Sequence, residues 1–137
     1  GAELKYSIIT KNTGRGYADD GSIVLRDEIP DDADFYIGNV ICVNGEGTGL
    51  GPICYQDGIN ENESGLTYNF KGIDDLTDHV QFSEGGSDFT YLPVDDGDGY
   101  DSKIRFIRIS PAGNLNASDK AVSFEPQFTF EYQIRLN

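Results

Sequence analysis

In the longest patterned runs of this chain, apolar residues recur at every second position. Phe128, Phe130, Tyr132, Ile134 and Leu136 alternate with Thr129, Glu131, Gln133 and Arg135, and Leu4, Tyr6 and Ile8 alternate with Lys5 and Ser7. Successive side chains of an extended strand point to opposite faces, so this period predicts strands with one buried and one wet face. Residues 23–25, 35–43, 66–70, 80–82 and 89–92 predict further strands on their β-branched and aromatic content. The run I-R-F-I-R-I at 104–109 slips out of phase between Phe106 and Ile107, which points to a β-bulge or to burial on both faces. Between these runs stand N-T-G-R-G, A-D-D-G, E-G-G-S, D-D-G-D-G and P-A-G-N, all turn formers. A helical period is missing; residues 72–78 suit one short turn, with Asp74 or Asp75 as its cap. About eight strands at this spacing predict an all-β fold, an antiparallel β-sandwich, with a closed barrel as the alternative sheet order.

At 137 residues the chain has the length of one domain, taken here as residues 1–137. Lys and Arg number 10 against 24 Asp and Glu, a formal charge of −14. A surface that acidic repels nucleic-acid phosphates and anionic lipid head groups, so neither is expected as a direct partner. No apolar run reaches the roughly 20 residues of a membrane span, and the start Gly-Ala-Glu is not a leader peptide. Met is absent, which suits a piece of a longer chain.

Catalytic motifs are sparse. His79 is the lone histidine, in T-D-H-V-Q-F, and a G-x-S-x-G nucleophile elbow is absent. A lone histidine at a strand start is more often a packing or surface residue than a base. With 24 acids, paired carboxylates arise by chance, so a hydrolase stays as a third rival, to be judged by a carboxyl pair in a cleft. The stretch G-E-G-T-G-L-G at 45–51 lacks the Lys-Ser/Thr of a phosphate loop and reads as a flexible loop tip.

Calcium is the sharper option. In V-D-D-G-D-G-Y-D-S at 94–102, Asp96, Asp98 and Asp101 flank glycines, so a tight loop can turn several carboxylates inward. Ca²⁺ takes roughly six to eight oxygens, and loops of this type supply them. Two further acidic clusters are Asp74, Asp75 and Asp78, and Asp31, Asp32 and Asp34. The bland alternative is that Asp and Gly are there for turn geometry alone. Tyr17, Tyr36, Tyr55, Tyr91 and Tyr100 are candidate stacking platforms for a sugar, although tyrosines of a small sandwich mostly pack in its core. Asn62-Glu63-Ser64 and Asn116-Ala117-Ser118 fit the N-glycosylation pattern, which also arises by chance. Cys42 and Cys54 flank a turn-rich loop; they form either a local disulfide, worth about 3 kcal/mol, or two reduced thiols.

Read in order, these pieces resemble a known family. L-K-Y-S-I-I-T-K-N-T-G at 4–14 is similar to the opening of the conserved repeat domains of unknown function in large bacterial secreted and cell-surface proteins. V-L-R-D-E-I-P, with Asp27, Ile29 and Pro30, resembles their strand followed by D-x-[IL]-P. The segments 66–72, 79–83, 91–101, 104–113 and 126–136 resemble the continuation in one subgroup, so the likeness spans essentially the whole chain. The Cys42–Cys54 segment and the high acidity depart from that subgroup. The resemblance implies an immunoglobulin-like β-sandwich of about 7–9 strands. It also implies an extracellular or cell-surface location and no established catalytic residue. The expected function is therefore a non-enzymatic structural or adhesive module, contacting neighbouring domains of its own chain or a surface glycan or protein. Its sheet edges are expected to be guarded by acids and by short edge strands. The alternative is a carbohydrate-binding sandwich with Ca²⁺ as a helper, for which Tyr91, Tyr100 and the Asp96 loop must form one exposed concave patch.

Overall fold

The structure, a computed structural model, describes residues 1–42, 51–59, 62–119 and 121–137. Among these residues the fold is all-β, with eight strands in two antiparallel sheets and no α-helix. The strands are β1 (Glu3–Lys11), β2 (Leu25–Glu28), β3 (Ala33–Tyr36), β4 (Cys54–Asp57), β5 (Val80–Ser83), β6 (Tyr100–Asp101), β7 (Phe106–Ile109) and β8 (Gln127–Leu136). The larger sheet runs β1-β8-β3-β6, with β4 also paired to β8; the smaller runs β2-β7-β5.

The strand with the clearest alternation sits at the centre of the larger sheet. One edge of β8 pairs with β1 without a break, from Glu3 opposite Arg135 to Lys11 opposite Gln127. Its other edge is shared: Cys54–Asp57 pairs with its first half and Ala33–Phe35 with its last residues. Phe128, Phe130, Tyr132 and Ile134 therefore face inward, where they meet Phe35 of β3, Val80 and Phe82 of β5, and Ile107 and Ile109 of β7 in one buried cluster. Each such side chain contributes about 2 kcal/mol through burial. The Phe35 and Phe82 rings meet edge-on at 5.6 Å across the two sheets. Nearby, the Tyr132 hydroxyl donates to Asp27 Oδ2 at 2.6 Å, a polar tie from β8 to β2.

Several expected strands came out shorter. The run at 35–43 ends as a strand at Tyr36, and the Tyr36 ring then lies where a Cβ at position 38 would stand, a place open because residue 38 is glycine. Val43 lies outside the described residues. The runs at 66–70 and 89–92 make single bridges, Thr67 to Ala112 and Tyr91 to Phe82. Their apolar residues Leu66, Tyr68 and Phe89 are buried, so the alternation there marks packing rather than a ladder. The irregularity lies one residue ahead of the expected slip, at the start of β7, where Ser83 is in register with Phe106 yet its carbonyl accepts the Arg105 N–H at 3.0 Å. Residues 72–78 hold a turn closed by Asp75 N–H to Gly72 O at 3.1 Å. The edges are not uniformly short: β1 is a nine-residue edge strand carrying Lys5 and Lys11.

Candidate functional site

The acidic loop 94–102 is held by its own carboxylates. Asp95 Oδ1 accepts the N–H groups of Gly97 at 2.7 Å and Gly99 at 2.8 Å. These amides hold its carboxyl below the usual carboxylate range. Both glycines have positive φ, 112° and 87°, a conformation that needs glycine. Asp96 Oδ2 accepts from Ser102 N–H at 2.8 Å. Asp98 accepts from Tyr100 N–H at 3.2 Å and pairs with Arg135 Nη1 at 2.6 Å, and that guanidinium is the main reason its carboxyl is shifted down. Asp101 is buried and accepts three bonds, from the Tyr91 hydroxyl at 2.9 Å and from the N–H groups of Val94 and Lys103 at 2.8 Å each. Asp96, Asp98 and Asp101 thus face different protein donors. Among the described residues no three of His, Cys, Asp and Glu are grouped so as to hold a metal ion.

The other acid clusters are dispersed in the same way. Asp75 Oδ1 accepts from the Thr77 N–H and hydroxyl at 2.6 Å each, and these bonds lower its pKa. Asp78 is buried and accepts from Lys71 N–H at 3.0 Å and Val80 N–H at 3.2 Å. Asp34 binds Arg135 Nη2 at 2.9 Å, while Asp31 and Asp32 stand exposed on the turn before β3. Glu84 and Asp88 line one open depression of about 390 Å³ with Tyr91; Asp88 holds the Thr90 hydroxyl at 2.5 Å, and both acids are exposed rather than set against an apolar wall.

The tyrosines do not assemble into a platform. Tyr100 is 3% exposed, its ring between Tyr36, 5.2 Å away, and the Arg135 guanidinium, 4.1 Å from its centroid. Its hydroxyl donates to Glu3 at 2.9 Å and accepts from Gln133 at 2.8 Å. Tyr91 is half-buried over Asp101, Tyr55 is buried, and Tyr17 is exposed. His79 Nδ1 accepts the Asn69 N–H at 2.8 Å and so fastens a turn. Asn62 and Asn116 spend their amides on the backbone of Glu125 and Glu63. Cys42 and Cys54 are joined by a disulfide, with Cα atoms 5.4 Å apart and both residues buried beside Val40 and Tyr36. Of the glycine-rich run, residues 45–50 lie outside the described residues, and Gly51 N–H donates to Asn39 at 2.9 Å.

Arginines proved more organising than the sequence suggested. Arg135 joins β8, β3 and the acidic loop through Asp34 and Asp98. Arg105 donates to the carbonyls of Pro30 at 2.5 Å, Ala33 at 3.2 Å and Ser102, so it clamps the D-E-I-P corner to the loop after β6. Arg26 and Arg108 stand opposite one another on β2 and β7, over the rings of Phe106 and Phe89 at 4.7 and 4.5 Å. The buried hydroxyl of Tyr68, whose ring stacks on that of Tyr55, has no partner among the described residues. The spacing of I-R-F-I-R-I held the one visible signal, since it sets two arginines beside a strand of core residues. Compared with family models, curated proteins and solved structures, this chain finds no match in any of the three.

Proposed function

We propose that this chain is a non-enzymatic structural module, an immunoglobulin-like sandwich within a bacterial cell-surface or secreted protein. The observation that carries this reading is how the acids are spent. Asp96, Asp98 and Asp101, the residues read as metal candidates, and Asp95 beside them each hold a backbone amide of their own loop. Loops tied down this way suit a rigid spacer. The Cys42–Cys54 disulfide supports an oxidising compartment, and the family resemblance of the motifs supports a place in a surface chain.

Thermal unfolding in millimolar Ca²⁺ and in EDTA, with and without reductant, tests the proposal, alongside a panel of immobilised glycans. A ligand at 100 times its Kd adds about 2.7 kcal/mol, several degrees for a chain of this size. The expected result is one Tm in Ca²⁺ and in EDTA, a lower Tm in reductant, and no glycan retained. A Ca²⁺-dependent rise that Asp98→Ala abolishes, or retention of a glycan, would overturn the structural reading in favour of a binding module.

A further inference from the structure

The free edge of β1 is self-complementary. The N–H of Asn12 donates to Pro126 O and that of Leu136 to Ala2 O, so even-numbered residues of this strand turn their backbone groups toward β8. By the alternation of an antiparallel ladder, Glu3, Lys5, Ser7, Ile9 and Lys11 turn theirs to the open side. Among the described residues β8 is the one strand beside β1. The edge is nine residues long, without Pro and without a bulge. It is also apolar for an edge, with Leu4 40%, Tyr6 38% and Ile9 61% exposed. Long, straight, exposed edges of this kind are templates for another strand.

We infer that the occupant is a second copy of β1, antiparallel across a two-fold axis at Ser7. In that register Glu3 of each copy faces Lys11 of the other, Lys5 faces Ile9, and Ser7 faces Ser7. On the opposite face Tyr6 meets Ile8 and Leu4 meets Thr10. All nine residues are paired, and both charged pairs are of opposite sign. Sliding by two residues one way sets Lys5 against Lys11; sliding four the other way sets Lys5 against Lys5. The register with the axis at Tyr6 leaves Glu3 against Ile9 and loses both charge pairs. An axis at Leu4 also sets Glu3 against Lys5 but leaves residues 8–11 unpaired, so the axis at Ser7 is the register that joins opposite charges with all nine residues paired. Tyr100 occupies Glu3 Oε1, which leaves the second oxygen for Lys11 of the other copy. The strand carries two lysines and one glutamate in a chain of net charge −14, so its own charge is opposite in sign to that of the whole molecule. A contact made of one strand pair is smaller than a standard interface, so the dimer is a weak one.

The axis residue supplies the test. Ser7→Cys and Ile9→Cys are made singly, air-oxidised, and run without reductant, beside sedimentation equilibrium of the unmodified chain up to millimolar concentration. Two cysteines at position 7 face each other in a hydrogen-bonded pair about 5.5 Å apart at Cα, within disulfide reach, whereas two at position 9 are several residues apart. The expected result is a cross-linked species of doubled mass from Ser7→Cys, little from Ile9→Cys, and reversible doubling of mass in the centrifuge. Lys11→Glu, which turns both charge pairs repulsive, is expected to weaken the association about tenfold. A monomer at every concentration, equal cross-linking by both cysteine variants, or mass growing past a dimer would each overturn the two-fold pairing.

Discussion

Asp101 shows how one residue decides what a loop is for. Its carboxylate is 1% exposed and takes three donors from three places, a phenol and two amides. Removing it leaves those donors facing an apolar gap, and hydrogen bonds to a charged acceptor contribute about 1.5–3 kcal/mol each without adding fully. Asp101→Ala is therefore expected to lower the unfolding free energy by about 3 kcal/mol. Exposed Asp32→Ala is expected to change it by less than about 0.5 kcal/mol. Urea unfolding of the two variants checks this; equal, small effects would show that the loop is not organised around Asp101. The aspartate cluster was legible in the sequence, but its use was not. Tyr91 lies 10 positions from Asp101 and Arg135 lies 37 from Asp98, and nothing in D-D-G-D-G-Y-D announces either partner.

At the level of elements, what the sequence disclosed depended on how local the cause was. β1 and β8 followed directly from alternation, which in β8 marks one buried face along most of its length and in β1 marks a half-buried face only at Ile8 and Thr10. β4 and β6 did not. β4 begins at a cysteine next to a glycine-rich run, and β6 is two residues inside an acidic turn, paired to β3 through Phe35 and Tyr36. Both strands exist because of partners distant in sequence. β4 has a second anchor, since its first residue, Cys54, is bonded to Cys42 after β3. A sequence separation of 12 makes that bond worth about 3 kcal/mol in the chain-entropy account. Replacing both cysteines by serine is expected to lower stability by that amount, about 3 kcal/mol, and to speed amide exchange in β4 before β8. Hydrogen exchange followed residue by residue checks it. Equal protection of β4 in both forms would place its stability in the pairing with β8 alone.

Across the whole molecule, tyrosine hydroxyls record how tightly the two sheets close. Burial pushes the Tyr55 hydroxyl up to about 12, and Tyr68, also buried, beyond that. Tyr132 is raised by burial and by its bond to Asp27, Tyr91 by burial and by Asp101, and Tyr100 by burial. In the unfolded chain these groups ionise near about 10. The folded state thus holds their protons more tightly, so their contribution is complete below about pH 10 and is lost as pH rises through the folded values. Alkaline unfolding is expected to start above about pH 10, with tyrosinate absorbance and loss of β circular dichroism rising together. Tyr132→Phe separates the causes. It cuts the tie between the sheets, and with Asp27 left without that donor stability at neutral pH is expected to fall, while one of the phenols whose ionisation drives alkaline unfolding is gone. Tyr68→Phe removes a hydroxyl that has no partner among the described residues, so it is expected to leave stability at neutral pH unchanged or higher. Tyrosinate appearing well before the fold is lost would mean that these hydroxyls reach water in the native state, and that the sheets close less tightly than their packing describes.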